Sequence, residues 1–258
     1  MINEKSAKGR KEIVVTSEKV TRPVKPWTTD VQRFLTYMTV EKQVSFVPKP
    51  MGIDDNGNEM VSFLAGEVFD YPLPNQLLSD TSIDSAANLL RKFHDVSADY
   101  LSQLTGDEKW LFKCHMSQEV MCHNDFAPYN VTTRNGLATG LIDFDTLCPG
   151  TRLWDVVYGA YRWVPVYSED FQLDFKEKCS RLQRFLQAYG LEKESYPKVI
   201  SCMIERLQLL IQFMISSAAK GEENFQNDIE QGHIEKYEAD IRYLRENELR
   251  ILSEIGVA

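Results

Sequence analysis

Two periodicities divide the chain. Near its start, residues 12–16 form a β-branched run, and residues 19–22 form a second that stops at Pro23. Both read as strands, with Ser17-Glu18 as the turn between them. Pro26 to Asp30 then announces a helix, with Thr29 or Asp30 as its cap and Val31, Phe34, Leu35 and Met38 as its apolar face. Residues 44–51 and 58–64 read as two more strands around the turn Asp54-Asp55-Asn56-Gly57. Beyond this point the period becomes helical. Residues 82–101 carry Ile83, Ala86, Leu90, Phe93 and Val96 on one face, and a further helix starts at residue 153. Residues 168–189 end at Gly190, a C-cap signal, and residues 195–219 have Pro197 in the first turn. Residues 227–255 carry Ile234, Tyr237, Ile241 and Leu244 on one stripe, with Gly232 weakening the start. The pattern predicts an α+β chain with a small β-rich lobe over 1–66 and a larger, mostly helical lobe over 67–258.

Candidate chemistry is concentrated between the helical stretches, in residues 121–145, MCHNDFAPYNVTTRNGLATGLIDFD. Asp125 and Asn130 stand five positions apart, and Asp143 follows thirteen later. Val131-Thr132-Thr133 reads as a strand, Asn135-Gly136 as a hairpin turn and Gly140-Leu141-Ile142 as the returning strand. The hairpin brings Asn130 and Asp143 face to face. An amide oxygen and a carboxylate suit Mg²⁺, a hard cation that takes oxygen ligands, and a further carboxylate at Asp125 can position and deprotonate a hydroxyl. The loop over 121–130 and the strand over 140–145 have the spacing of a phosphoryl-transfer loop and its metal-binding strand.

HNDFAPYN followed by LIDFD resembles the aminoglycoside phosphotransferase and choline kinase branch of the protein-kinase-like fold, whose pattern is H-x-D-x-x-x-x-N and then I-D-F/W-D/E. Gly150 and Leu153-Trp154-Asp155 are similar to that branch's G-x-x-x-W-D segment. The upstream phrases VTRPVKPWTTDVQRFL and GIDDNGNEMVSFLAGEV resemble its short-N-lobe members, a group that includes proteins named for trifolitoxin immunity. The resemblance implies a two-lobe kinase-like fold that binds ATP or GTP between the lobes, with Mg²⁺ on Asn130 and Asp143. It implies Asp125 and His123 as the catalytic pair, Asp125 as base and His123 as brace of the loop. It sets the hinge near residues 64–67, with Phe63, Leu64 and Gly66 against the nucleotide base. It implies that Asp155 is buried and accepts hydrogen bonds from the loop backbone; the plainer reading is a helix N-terminal acid favoured by the dipole. Asp145 stands where a protein kinase has the glycine of D-F-G, which favours the small-molecule branch.

The chain also departs from the pattern. No G-x-G-x-x-G occurs near the N-terminus, where Gly9 is the one glycine before Gly52. Arg22 stands near the place of the phosphate-contacting lysine, with Lys25 and Lys19 as rivals, and its planar fork can clamp phosphate. The helix that follows offers Asp30 and Gln32 but no glutamate to pair with that cation. His94, in LLRKFHD, reads as a helix-surface or core histidine.

Composition adds limits. With 43% apolar and 26% charged residues, the 258-residue chain reads as an ordinary globular protein. No apolar run reaches the length needed to span a bilayer, and the polar start MINEKSAKGRK has no signal-peptide core, so the expected location is the cytoplasm. A net charge of −9 argues against nucleic acid as a partner and is consistent with a cationic hydroxyl acceptor such as an amine-bearing sugar. Glu222, Glu223, Asp228 and Glu230 are either a surface for such a cation or a solvated face. The five cysteines are odd in number, and Cys114-His115 with Cys122-His123 match no zinc-finger spacing, so reduced thiols are expected. The leading function is transfer of a nucleotide γ-phosphate to a small-molecule hydroxyl. Its rivals are a non-catalytic binding or toxin-immunity module, and nucleotidyl transfer or hydrolysis by the same acids.

Overall fold

The computed structural model describes residues 5–7, 10–112, 117–164, 166–167 and 173–257. An antiparallel five-stranded sheet comes first: β1 (Lys5–Ala7), β2 (Arg10–Val15), β3 (Lys19–Pro23), β4 (Pro50–Ile53) and β5 (Asn58–Ser62). Its spatial order is β1-β2-β3-β5-β4, and Arg22 lies directly opposite Glu59. The β4–β5 turn closes at Gly57 (φ +80), where Asp54 Oδ1 accepts from the N–H groups of Asn56 and Asn58 at 2.9 and 2.8 Å.

Helix α1 (Thr28–Thr36) joins β3 to the rest and widens into a π-helical turn at Tyr37–Glu41. Its predicted face is buried, but its predicted cap is not used. The N-cap position is Trp27, with no side-chain cap. Asp30 instead accepts from Lys109 N–H at 2.9 Å. Residues 44–49 correct the strand reading as well, because pairing begins only at Pro50. Phe46 and Val47 sink into the core, and the Phe46 carbonyl accepts from Leu141 N–H at 2.7 Å. Burial of those two side chains, between Gln43 at φ +54 and the prolines 48 and 50, fixes an irregular path.

The remainder is mostly helical: α2 (Asp80–Ser97), α3 (Arg152–Trp163), α4 (Phe175–Tyr189), α5 (Val199–Ala219), α6 (Glu223–Glu230) and α7 (His233–Glu254). Two short ladders sit among these helices, β6 (Val120–Cys122) with β9 (Cys148–Gly150), and β7 (Val131–Arg134) with β8 (Leu137–Leu141). Gly190 ends α4 in the left-handed region, as its position predicts. Gly232 does more than weaken a helix start: at φ +80 it divides the predicted 227–255 helix into α6 and α7. The helix predicted from residue 195 begins instead as a 3₁₀ turn, Lys193–Lys198, that contains Pro197. The expectations for Gly9, for Cys114-His115 and for residues 168–172 lie outside the described residues, and α4 is capped by Asp174.

One reading of the membrane signal needs correction. The segment Lys193–Ala219 is long and apolar enough to cross a membrane by length and composition, because Glu205 and Arg206 are the one charged pair within α5. Met203, Ile204, Leu207 and Met214 are buried, and α5 packs on α3 and α7.

The sheet and the helical part share one core. Phe34 of α1 meets the rings of Phe93, Tyr100 and Phe144 at centroid distances of 6.0, 5.1 and 6.2 Å. Phe144 lies between Asp143 and Asp145, so this cluster couples α1 to the acidic strand. Phe34→Ala should lower the unfolding free energy in urea by about 3–5 kcal/mol, the usual cost of emptying a buried aromatic site. A loss below about 1 kcal/mol would contradict the coupling.

Candidate active site

The loop after β6 is held from below by one carboxylate. Asp155, in the first turn of α3, is completely buried. Its Oδ2 accepts from His123 N–H at 2.7 Å and its Oδ1 from Asn124 N–H at 2.8 Å. Asn124 takes a left-handed φ of +63°, which an asparagine tolerates, and its side chain is tied on both sides. Its amide donates to Thr146 O at 2.9 Å, and its Oδ1 accepts from Trp154 Nε1 at 3.1 Å. Arg206 of α5 reaches up to donate to Asn124 O at 2.7 Å. The Arg206 guanidinium lies near the rings of Phe112, Trp154 and Tyr158, at 5.5, 5.5 and 4.3 Å from their centroids.

A second layer supports Asp155. His94 Nε2–H donates to Asp155 Oδ2 at 3.0 Å, and the Tyr189 hydroxyl donates to His94 Nδ1 at 2.7 Å. Burial holds the His94 pKa below the ordinary imidazole value, with Asp155 opposing. Burial acts to raise Asp155, but the hydrogen bond from His94 and the approach of His123 overcome it and leave the carboxyl below its ordinary value. His94, Cys122 and Asp155 converge closely enough to hold a metal. Both His94 nitrogens are already bonded, and Cys122 S–H donates to Thr151 O at 3.3 Å, so the cluster is a hydrogen-bond network.

Above the loop, the predicted site residues come together. His123 Nε2–H donates to Ile142 O at 3.0 Å, and its Nδ1 accepts from Asp125 N–H at 3.3 Å, linking the loop to the strand before Asp143. Asn130 Nδ2 donates to Asp125 Oδ2 at 2.8 Å, which leaves the Asn130 amide oxygen as the group a cation can take. Asn130 O accepts from Ile142 N–H at 2.9 Å, so Asn130 lies opposite the residue that precedes Asp143, just past the open end of the β7–β8 hairpin. Asn135 and Gly136 at its tip both take positive φ, +52° and +76°, as the turn predicts. Asp143 itself sits at φ +61°, an uncommon conformation for aspartate. Asp125 Oδ1 also accepts from the Tyr129 and Tyr158 hydroxyls at 2.8 and 3.2 Å.

Arg22 is the cation that meets these acids. Its Nη1 lies 3.1 Å from Asp143 Oδ1, its Nη2 2.8 Å from Asp145 Oδ1, and its Nε bonds Glu59. Burial opposes the charge, but Asp145, Asp143 and Glu59 together hold the guanidinium pKa above its ordinary value. Burial pushes Glu59 up, with Arg22 opposing. Lys19 contacts Met60 Sδ instead, at 3.1 Å. The acid missing from α1 is therefore supplied by β5, and Gln32 of α1 donates to Glu59 Oε2 at 3.4 Å. Nothing in the sequence points to Glu59, Arg206, Tyr129 or Tyr158. Only the cross-strand register reveals Glu59, and the tyrosines and Arg206 carry no motif.

At residues 63–67, where the resemblance sets a hinge, the backbone is partly committed. Phe63 N–H donates to Glu18 O at 2.8 Å, and Glu67 exchanges both backbone groups with Thr133 at 2.9 and 2.7 Å. Leu64 and Ala65 line an open cleft of about 230 Å³ with Ser45, Thr132, Arg134 and Thr139. Gly66 lies so close to β7 that a Cβ there would stand 2.7 Å from Thr132 Cβ.

With this geometry in place, comparison with known proteins identifies the segment that carries it. Residues 107–197 match the phosphotransferase enzyme family. Over 197 residues the chain is 24% identical to a trifolitoxin immunity protein of Rhizobium leguminosarum bv. trifolii, covering 72% of this chain and 73% of that one. Its fold is similar to a choline/ethanolamine kinase family protein from Mesorhizobium loti, with TM-score 0.64 and 15% identity over 100% of this chain and 93% of that one. It is also similar to an amicoumacin kinase in complex with AMP-PNP and Ca²⁺, with TM-score 0.61 and 11% identity over 90% and 88%. A choline kinase from Streptococcus pneumoniae gives TM-score 0.59 and 13% identity over 94% and 92%. The α+β, protein-kinase-like fold and the resemblance read from HNDFAPYN and LIDFD are borne out.

The buried His94–Asp155 pair sets a pH dependence. The unfolded chain binds the His94 proton more tightly than the native state, so stability falls as pH drops below about 6.5. The contribution of Asp155 is complete above about pH 4 and is lost as pH falls through its lower native value. Urea unfolding between pH 7.5 and 5.5 should show a falling free energy whose slope flattens in His94→Gln. An identical slope in both proteins would contradict this assignment.

Proposed function

We propose that this chain is a small-molecule phosphotransferase that moves the γ-phosphate of ATP or GTP to a substrate hydroxyl. The observation that carries the reading is the bonding of Asp125 to the Asn130 amide beside Asp143, on a loop and hairpin that His123 ties together. The amicoumacin kinase complex, with its nucleotide analogue and divalent cation, supports the same use of a nucleotide and a metal.

The lobes are taken as 1–66 and 67–258, with nucleotide between them and its base near Phe63, Leu64 and Gly66. The donor set fits a hard divalent cation: an amide oxygen from Asn130, a carboxylate from Asp143, and Asp145 beside it. Glu59, Asp143 and Asp145 gather around Arg22, and the oxygens of Asp143 and Asp145 are the hard donors such a cation takes. Mg²⁺ there would neutralise charge on the triphosphate oxygens. Arg22, already against Asp143 and Asp145, is placed to turn its fork to the same phosphates.

Asp125 receives the proton of the acceptor hydroxyl. That oxygen forms a bond to the γ-phosphorus while the bond from phosphorus to the β,γ-bridging oxygen breaks, and the nucleoside diphosphate leaves. His123 keeps the loop in register and carries no proton in this scheme. Asp155 supports the loop backbone from below. Cys179 and Cys202 form no disulfide with a described residue, in keeping with a cytoplasmic location. An immunity role without turnover, the reading prompted by the name of the Rhizobium relative, is weaker because base, amide and metal acid are all present.

Asp125→Ala should reduce kcat by about 10²–10⁴, the usual contribution of a placed general base, in an assay of nucleoside diphosphate release. Turnover equal to wild type would remove Asp125 from the mechanism.

A further inference from the structure

A second cation lies on the other side of the proposed base, and no acid answers it among the described residues. Arg162, near the end of α3, stacks its guanidinium against Tyr71 and Tyr129, at 4.5 and 5.2 Å from their ring centroids, with Tyr161 at 6.0 Å. Its Nε is buried without a hydrogen-bond partner, and no salt bridge to Arg162 is formed by a described residue.

The tyrosines do not supply the missing negative charge. Burial raises the phenol pKa of Tyr71, Tyr129 and Tyr161, so they stay neutral. The two carboxylates bonded to tyrosines of this cluster are already engaged. Asp125 accepts from Tyr129, Tyr158 and Asn130, and Asp240 accepts from the Tyr161 hydroxyl at 2.8 Å. A guanidinium does not escape by losing its proton. Burying a charge without a counter-ion is costly, and contacts with ring faces offset only part of the cost.

Position gives the charge a purpose. Tyr129 shares both partners: its hydroxyl donates to Asp125 Oδ1 and its ring faces Arg162. One side chain therefore separates the proposed base from the unanswered cation. Tyr71 is brought to the site by the crossover after the hinge, where Phe69 N–H donates to Pro128 O at 3.2 Å and the Tyr71 hydroxyl bonds Arg162 O. Asp125, Tyr129, Tyr71 and Arg162 are each half-buried, whereas Tyr158 and Tyr161 are buried, so the first four form a wall that a small molecule can reach.

We infer that the phosphate acceptor is a hydroxyl compound bearing an oxyanion, a carboxylate or a phosphate ester, with Arg162 as its anchor. The inference rests on the phosphotransferase reading and names the substrate class of that site. A cationic acceptor, the class the net charge favoured, would meet an aromatic box already filled by the chain's own cation. A planar fork takes carboxylate or phosphate oxygens in pairs, which orients the acceptor as well as holding it. With its anion on Arg162, the acceptor presents its hydroxyl across Tyr129 to Asp125.

The test offers the full chain, with Mg-ATP, D-gluconate and D-glycerate as carboxylates and glycerol 3-phosphate as a phosphate ester. Glucose is the neutral acceptor, and choline and an aminoglycoside are the cations. The expected result is a kcat/KM at least about tenfold higher for one of the anionic acceptors than for the others, with carboxylate and ester told apart by which one turns over. Arg162→Gln should raise the KM for that acceptor about 10²-fold with kcat little changed, and Arg162→Lys should recover part of the loss. Should Arg162→Gln fail to fold, Arg162→Lys carries the reading. A preferred neutral or cationic acceptor, or an anionic one whose KM ignores both substitutions, overturns the inference and leaves phosphotransfer standing. If no acceptor releases ADP, calorimetric titration of the same anions with Mg-AMP-PNP present decides. An anion bound by wild type and lost in Arg162→Gln supports the pocket and sinks phosphotransfer instead, and no anion binding overturns the inference.

Discussion

The buried carboxylate of Asp155 is the constraint on which the site depends. A charge with no access to water must be satisfied completely, and here two loop N–H groups and an imidazole satisfy it. Hydrogen bonds to a charged group contribute about 1.5–3 kcal/mol each, and losing one leaves a desolvated charge behind. The loop is thereby fixed in the one path that puts Asn124 in the left-handed region and Asp125 above it. Asn124 O is then engaged by Arg206 from α5, so helices α3 and α5 both set the loop's height.

Above that anchor the charges fall into two groups. On the sheet side Arg22 meets Glu59, Asp143 and Asp145, carboxylates that suit a divalent cation beside a guanidinium that suits a polyphosphate. On the helical side Arg162 sits among neutral phenols, with no acid among the described residues bonded to it, which is the setting for an anion. Asp125 stands between the two groups, bonded to Asn130 on one side and Tyr129 on the other. The proposed reaction uses this asymmetry, with nucleotide and metal on the side of Arg22 and acceptor on the side of Arg162.

The parts of this arrangement that were legible in the sequence are local. Asn135-Gly136 dictates a two-residue hairpin through its positive φ angles, and the hairpin fixes how Asn130 and Asp143 approach. The apolar face of α1 and the Gly190 cap follow from periodicity and from glycine's freedom. What was not legible depends on distant partners. Glu59 acquires its meaning only from the register that places it opposite Arg22, and a glutamate in a strand has no motif of its own. Residues 44–49 look like a strand because Val44, Phe46 and Val47 are apolar, but the Phe46 carbonyl goes to the hairpin at Leu141 instead of to a sheet. Gly232 reads as a local weakness in one helix, yet its left-handed backbone ends that helix and starts another. Tyr71 and Arg162 are ninety-one residues apart and meet only through the fold.

The central claim is that the Asn130 amide and the Asp143 carboxylate hold one divalent ion together with the nucleotide. Electron paramagnetic resonance of Mn²⁺ bound with AMP-PNP tests it directly. The account predicts a protein-bound Mn²⁺ signal in wild type that needs the nucleotide and weakens at least about tenfold in affinity in Asp143→Asn. Equal Mn²⁺ affinity in the two proteins would contradict it.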